Sequence, residues 1–213
     1  MPTPNAPTEH YFTEKPKAPS APRQVTMQVR GLTLTLWTDR GVFSHGELDR
    51  GTKLLAQTME LPPGAEVLDW GAGYGILGFV AALTCPTCRV TLVEVNERAA
   101  ALAERNRAGL GLANVEVITG AAPEALGERQ FDVIISNPPF AAGRTAVEGL
   151  IDDAGRRLRP GGEIWLVIPT NKGAKTFQRF MAQKFAETDT RTITGGYRIL
   201  WGRKAAQEAL STV

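Results

Sequence analysis

The sequence predicts an α/β fold, a mostly parallel sheet with helices on both faces, and three observations carry that prediction. From Ala65 onward, short apolar runs bounded by turn residues alternate with longer amphipathic ones, which is strand–helix alternation. The first run, AEVLDW, empties into a glycine-rich turn and then a helical stretch, the way a doubly wound sheet begins. Before it, QVTMQVR and LTLTLWT alternate apolar and polar residues around Gly31, the pattern of a β-hairpin.

Each element follows in order. After the hairpin, GVFSHGELDRGT reads as a loop whose end starts a helix through Lys53, Leu54 and Leu55. AEVLDW is a strand, GILGFVAALT a helix, RVTLVEV a strand, and Asn96 to about Leu110 a long helix. NVEVIT is the third strand of the alternating region, with a weak helix around Pro123 to Leu126, and FDVIIS is the fourth. TAVEGLIDDAGRRL is helical, Arg159-Pro160-Gly161-Gly162 a turn, and EIWLVIP a fifth strand. The helix AKTFQRFMAQKF and strands near Glu187–Ile193 and Tyr197–Trp201 complete the chain. Residues 1–22 hold six of the fourteen prolines and no apolar periodicity. They read as an extended arm, with His10, Tyr11 and Phe12 as its anchors, before a single domain over 23–213.

Composition narrows the function classes. Hydrophobic residues at 43% and charged residues at 22% suit a soluble globular domain. No apolar run approaches the ~18 residues of a membrane span, and the first ten residues lack a signal-peptide pattern. The expected location is therefore cytoplasmic. Cys85 and Cys88 have no second CxxC and no nearby histidine, so they read as two thiols at a helix end and no metal is predicted. The net charge of +2 is uneven: Arg156 to Val213 carries eleven Lys/Arg against four Asp/Glu, or +7, leaving −5 elsewhere. A basic third of this kind suits a phosphate-bearing partner, although a solvated surface has the same composition.

The strongest local signal is Asp69-Trp70-Gly71-Ala72-Gly73-Tyr74-Gly75. Glycines at 71, 73 and 75 permit a sharp strand-to-helix turn and close approach to a ligand. The spacing is GxGxG rather than the GxGxxG of dinucleotide folds. Asp69, just before the first glycine, is placed to meet the ammonium of a methionine moiety and would repel a pyrophosphate. Glu94 ends the next strand, where a carboxylate accepts hydrogen bonds from both ribose hydroxyls. That acid supports an adenosine ligand without choosing between a methyl donor and a nicotinamide dinucleotide.

Ser136-Asn137-Pro138-Pro139-Phe140 directly follows FDVIIS. An exocyclic base amine is a poor nucleophile because its lone pair is delocalised into the ring. The Asn137 side-chain carbonyl and the Pro138 backbone carbonyl can accept its two hydrogens, favouring a pyramidal nitrogen that faces an electrophile. The prolines hold these acceptors rigidly, and Phe140 offers a face for stacking a base.

VLDWGAGYG, VEVN, ISNPPF and LRPGGEIWLVI resemble the motifs of class I methyltransferases. GVFSHGELDRGTKLL and the closing TITGGYRIL narrow the resemblance to the small-subunit rRNA guanine-N2 methyltransferase family, in particular its compact single-domain members. HYFTEKP near the start is also similar, so the likeness runs from about His10 to Arg203. The resemblance implies a Rossmann-like, seven-stranded sheet with a reversed last hairpin, and S-adenosylmethionine as cofactor. It places Asp69, Gly71, Gly73 and Gly75 at the methionine end and Glu94 at the ribose. Phe43, Asp49, Gly51 and Thr52 would close over the same pocket, and Asn137, Pro138, Pro139 and Phe140 would hold the target base. The implied partner is RNA, ribosomal above all. Adenine-N6 and protein glutamine-N5 methylation remain open, as does an RNA-binding protein that only retains the fold. One departure concerns the adenine end. Relatives often have Asp after the third strand of the alternating region, whereas this chain has Gly120-Ala121-Ala122, so Ala121 would offer only backbone and apolar contact.

Overall fold

The computed structural model describes residues 19–44 and 48–207. The anchors His10, Tyr11 and Phe12 lie outside the described residues, and so does His45. The hairpin is present as β1 (Arg23–Val29) and β2 (Leu32–Thr38), paired antiparallel so that Val29 faces Leu32. Arg30 and Gly31 both have positive φ, 49° and 78°, which matches the twist of a two-residue turn to its strands. Met27, Val29, Leu34 and Leu36 bury one face of this hairpin in the core. Helix α1 (Arg50–Thr58) follows. Its last carbonyls are met from the hairpin turn, because the Arg30 guanidinium donates to Ala56 O at 3.0 Å and Met59 O at 2.6 Å.

The alternating region then runs β3 (Glu66–Trp70), α2 (Ile76–Thr84), β4 (Arg89–Glu94), α3 (Glu97–Gly109), β5 (Val115–Thr119), α4 (Ala122–Ala125) and β6 (Phe131–Ser136). After it come α5 (Arg144–Arg157), β7 (Leu158–Pro169), α6 (Ala174–Met181), β8 (Glu187–Thr194) and β9 (Tyr197–Arg203). The seven strands β3 to β9 form one sheet in the order β5-β4-β3-β6-β7-β9-β8. Neighbours from β5 to β7 pair in parallel, and β9 enters antiparallel between β7 and β8. The order reverses between β3 and β6, so the ends of these two strands open a crevice where ligands of such sheets sit.

Strand residues alternate between two cores. Val67, Val133, Ile135, Trp165 and Val167 face α1, α2, α3 and the hairpin. Leu68, Ile134, Ile164, Leu166 and Ile168 face α4, α5 and α6. Burial on both faces explains why these strands read as continuous apolar runs.

Three expectations need correction. Cys85 and Cys88 are joined by a disulfide rather than standing as two thiols. Cys88 N donates to Cys85 O at 2.9 Å, and this turn brings the two Cα atoms to 5.3 Å, within bridging range. The Arg159–Gly162 turn lies inside β7, which starts at Leu158 and shifts register against β6 between Phe131 and Val133. Helix α6 stops at Met181, short of the expected Phe185. Among the described residues no helix is long and apolar enough to cross a membrane.

Candidate active site

The crevice at the β3 and β6 ends holds a cavity of about 480 Å³, a size typical of small-ligand sites. Its floor is the glycine turn after β3. Gly71, Gly73 and Gly75 all have positive φ, at 73°, 58° and 103°, where any side chain would be strained. Gly71 and Gly73 line the cavity, and nothing lies within 4 Å of where a Cβ would stand. Gly75 is needed for a different reason. A Cβ there would come within 2.3 Å of the Phe79 ring, so this glycine lets the turn close on α2.

Asp69, expected from the sequence to meet a ligand's ammonium, is not among the residues that line the cavity. It is fully buried behind the turn, where its Oδ2 accepts the Gly78 N–H at 2.8 Å. Its Oδ1 has no partner among the described residues. Burial, opposed by the Gly78 N–H and assisted by the Glu94 carboxylate, pushes this carboxyl up to about 7. Glu94 does line the cavity. Its oxygens accept Gly73 N at 2.7 Å and Asn96 N at 2.8 Å, so the carboxylate also braces the turn. Burial raises its pKa, against those backbone donors. Each oxygen keeps acceptor capacity for a hydroxyl.

The opposite rim comes from the loop before α1. Asp49 caps that helix, accepting Thr52 N at 2.8 Å. Tyr74 Oη donates to Ser44 O at 3.1 Å and Asn96 Nδ2 to Gly41 O at 3.1 Å, pinning the loop over the glycine turn. Phe43 and Thr52 line the cavity. Asp49 and Gly51 instead support it. Tyr197, from the start of β9, donates to Asp49 Oδ1 at 3.3 Å, and its ring covers Gly51 so closely that a Cβ would meet Cε1 at 2.7 Å.

Asn137 closes this network. Its Nδ2 donates to Asp49 Oδ2 at 3.2 Å and to Thr52 Oγ1 at 2.9 Å, while the Thr52 hydroxyl donates to Asp49 Oδ2 at 3.1 Å. A carboxylate only accepts, so chemistry fixes which end of the amide faces Asp49. The Asn137 carbonyl oxygen therefore remains for another donor. Asn137 and Pro139 line the cavity, but Pro138 does not. The Pro138 carbonyl already accepts Phe140 N at 2.9 Å, which leaves it one lone pair. Phe140 begins a single 3₁₀ turn over Phe140–Ala142. It lines a separate cavity of about 320 Å³ together with Arg144, Lys172 and Phe177. The Asn137–Phe140 turn thus stands between two cavities.

Ala121 also lines the larger cavity. One wall was not foreseen. Ala146, Gly149, Leu150, Asp153 and Arg156 present one face of α5 to the same cavity, joined at the floor by Trp70, Leu77 and Val95. The spacing of the α5 residues is helical, the only signal in the sequence that could have grouped them.

Comparisons with known proteins identify the family. The family model described as the methyltransferase small domain matches residues 33–201. The Bacillus subtilis protein YbxB is 31% identical over 199 residues, covering 92% of this chain and 99% of that protein. A Pseudomonas entomophila ribosomal RNA small subunit methyltransferase C is 37% identical over 163 residues, covering 75% of this chain. The match takes in 48% of that longer relative, so the chain spans about half its length. Among solved structures, the Thermus thermophilus 16S rRNA N2 guanine methyltransferase RsmC, in complex with AdoMet and guanosine, superposes with a TM-score of 0.75 at 27% identity, covering 89% of this chain and 52% of that one. The chain belongs to the methyltransferase small-domain family, whose members take their methyl group from S-adenosylmethionine.

Proposed function

We propose that this chain methylates an exocyclic base nitrogen in RNA, with guanine N2 of ribosomal RNA as the target. The observation that carries the reading is the fixed orientation of Asn137. Its amide nitrogen is committed to Asp49 and Thr52, and its carbonyl oxygen is left at the turn between the two cavities.

The larger cavity fits the methyl donor. Gly71 and Gly73 form an open cradle, and Glu94 supplies a carboxylate for ribose hydroxyls. When bound, S-adenosylmethionine supplies an electrophilic methyl group on a sulfonium. Asn137 Oδ1 and the free lone pair of Pro138 O would accept the two hydrogens of the target amine and turn its lone pair toward that methyl. Asp49, Thr52 and Tyr197 would act as positioning residues that hold Asn137 in this orientation. No strong general base is required, since the nitrogen loses its proton after transfer.

The smaller cavity supports a nucleic-acid substrate. Phe140 and Phe177 give it aromatic surface and Lys172 gives it positive charge, while Arg144 is paired with Glu148 at 2.7 Å; aromatic and cationic groups together are the usual means of holding an unstacked nucleotide. The names of the relatives point the same way.

The test is incubation with labelled S-adenosylmethionine and undermethylated total RNA, followed by nucleoside mass spectrometry. N2-methylguanosine is the expected product. N6-methyladenosine would move the target to adenine, and label found only in protein glutamine would end the RNA reading.

A further inference from the structure

The adenine end of the larger cavity lacks a side-chain acceptor where the chain passes from β5 into α4. Gly120, Ala121 and Ala122 line the cavity there with only backbone and methyl groups. Adenine presents an amine that must find an acceptor once it leaves water. Two other side-chain acceptors in this cavity are already assigned: Glu94 to the ribose and Asn137 to the methyl acceptor. Thr52 is bound into the Asp49 network. The remaining carboxylate that lines it is Asp153.

Asp153 comes from α5, on the face that carries Ala146, Gly149 and Leu150. It is only 6% exposed and sits between two guanidiniums. Its Oδ1 accepts Arg156 Nη2 at 2.9 Å, and its Oδ2 accepts Arg157 Nε at 2.7 Å. Arg157 is itself buried, and its Nη2 donates to Pro123 O at 3.0 Å. One guanidinium therefore bridges Asp153 to Pro123 in the first turn of α4, and Asp153 lines the same cavity as Gly120, Ala121 and Ala122. A carboxylate has about four acceptor positions, so two hydrogen bonds leave capacity on each oxygen. Gly149 has nothing within 4 Å of its Cβ position, which leaves room for a flat ring one helical turn from Asp153.

We infer that Asp153 is the adenine-recognition residue of this chain, accepting the exocyclic amine of S-adenosylmethionine from α5 and so replacing the acid that is missing at the β5–α4 turn. Arg156 and Arg157 hold the carboxylate in place, and Leu150 covers one face of the ring. The inference rests on S-adenosylmethionine being the cofactor, and not on the identity of the methyl acceptor.

Binding of S-adenosylhomocysteine, and of its analogue with hydrogen in place of the adenine amine, is measured by calorimetry on the full chain. The wild type is expected to bind the parent compound at least tenfold more tightly than the deaminated one. Asp153→Ala should lose about tenfold for the parent and little for the analogue, so that the preference collapses, and Asp153→Asn, which keeps one acceptor oxygen, should lose less. Equal losses for both ligands would make Asp153 a structural partner of Arg157 alone and overturn the assignment. Gly149→Leu provides a second test that leaves the ion pairs intact. It should abolish binding of both ligands without lowering the melting temperature, and retained binding would place adenine elsewhere and overturn the inference. A wild type that binds neither ligand would overturn the cofactor reading itself, an outcome distinct from a mutant that binds both equally.

Discussion

Tyr197 Oη lies 3.3 Å from Asp49 Oδ1, joining residues 148 apart in the chain at one carboxylate. The other oxygen of Asp49 accepts from Asn137 and Thr52. Strand β9, the α1 cap and the Asn-Pro-Pro-Phe turn are thereby connected through a single side chain. Tyr197→Phe removes one bond to a charged group and keeps the ring over Gly51. We expect turnover to fall about three- to tenfold, corresponding to roughly 1 kcal/mol, with little change in melting temperature. Gly51→Ala should cost more, because its Cβ would stand 2.7 Å from Tyr197 Cε1 and displace the ring. Steady-state kinetics on both variants decides the matter, and unchanged turnover in both would remove Tyr197 from the positioning network.

Asn137→Ala should lower kcat by about a hundredfold or more, the scale seen when a preorganised transition-state contact is lost. Cofactor affinity should stay within about threefold. Asn137→Asp is the sharper variant, since it keeps an acceptor oxygen but sets a second carboxylate against Asp49, 3.2 Å from the present nitrogen. Like charges at that distance repel, so turnover should fall here too. Activity close to wild type in the Ala variant would leave the turn a purely structural feature.

The strands and helices were legible because both periods are clean: FDVIIS and EIWLVIP are apolar on both faces, and Asn96 caps α3 by accepting Arg98 N and Ala99 N. The glycine turn and Glu94 were legible for the same local reason. The place of Asp69 at a strand end does not reveal which layer its side chain enters, and Gly78 N on α2 donates to it there. Phe140 was expected to stack the target base, and the 3₁₀ turn places it in the cavity beside the one that Asn137 lines. The α5 wall depends on how a helix docks across the sheet, and no motif in TAVEGLIDDAGRRL announces it. Tyr197 could be singled out within its motif, but its partner Asp49 emerges only in three dimensions.

Asp69 makes stability depend on pH. Its carboxyl is pushed up to about 7 by burial, whereas an unfolded Asp titrates near ~3.9. Between these values the folded state holds a proton that the unfolded state has lost. Stability therefore falls as pH rises from about 4 to about 7, then levels off. Glu94, also raised by burial, adds to the same slope. Asp69→Asn should reduce the slope of melting free energy against pH in cofactor-free protein without removing it. An identical slope in the variant would show that the Asp69 carboxyl is ionised throughout that range.

RNA affinity should depend on the face of α6 and the turn before it. Lys172, Lys175 and Arg179 are exposed, and none has an ion-pair partner among the described residues. Lys172 also lines the cavity that contains Phe140, so a backbone phosphate held there would lie beside the proposed base site. Lys175 and Arg179 are four residues apart on one helix and share a face. Each cation that neutralises a phosphate contributes about 0.7 to 0.9 to the slope of log affinity against log salt. Replacing all three with Ala should therefore weaken RNA binding and flatten that slope by about one to three units, leaving cofactor affinity unchanged. Lys184 and Arg191 provide the control, because they already face Asp152 at 2.9 Å and Asp189 at 3.7 Å. A charge paired within the protein releases fewer counterions, so Ala at those two positions should change the slope less. If the triple variant and the wild type give the same slope, α6 is a solvated face and the phosphate contacts come from elsewhere in the chain.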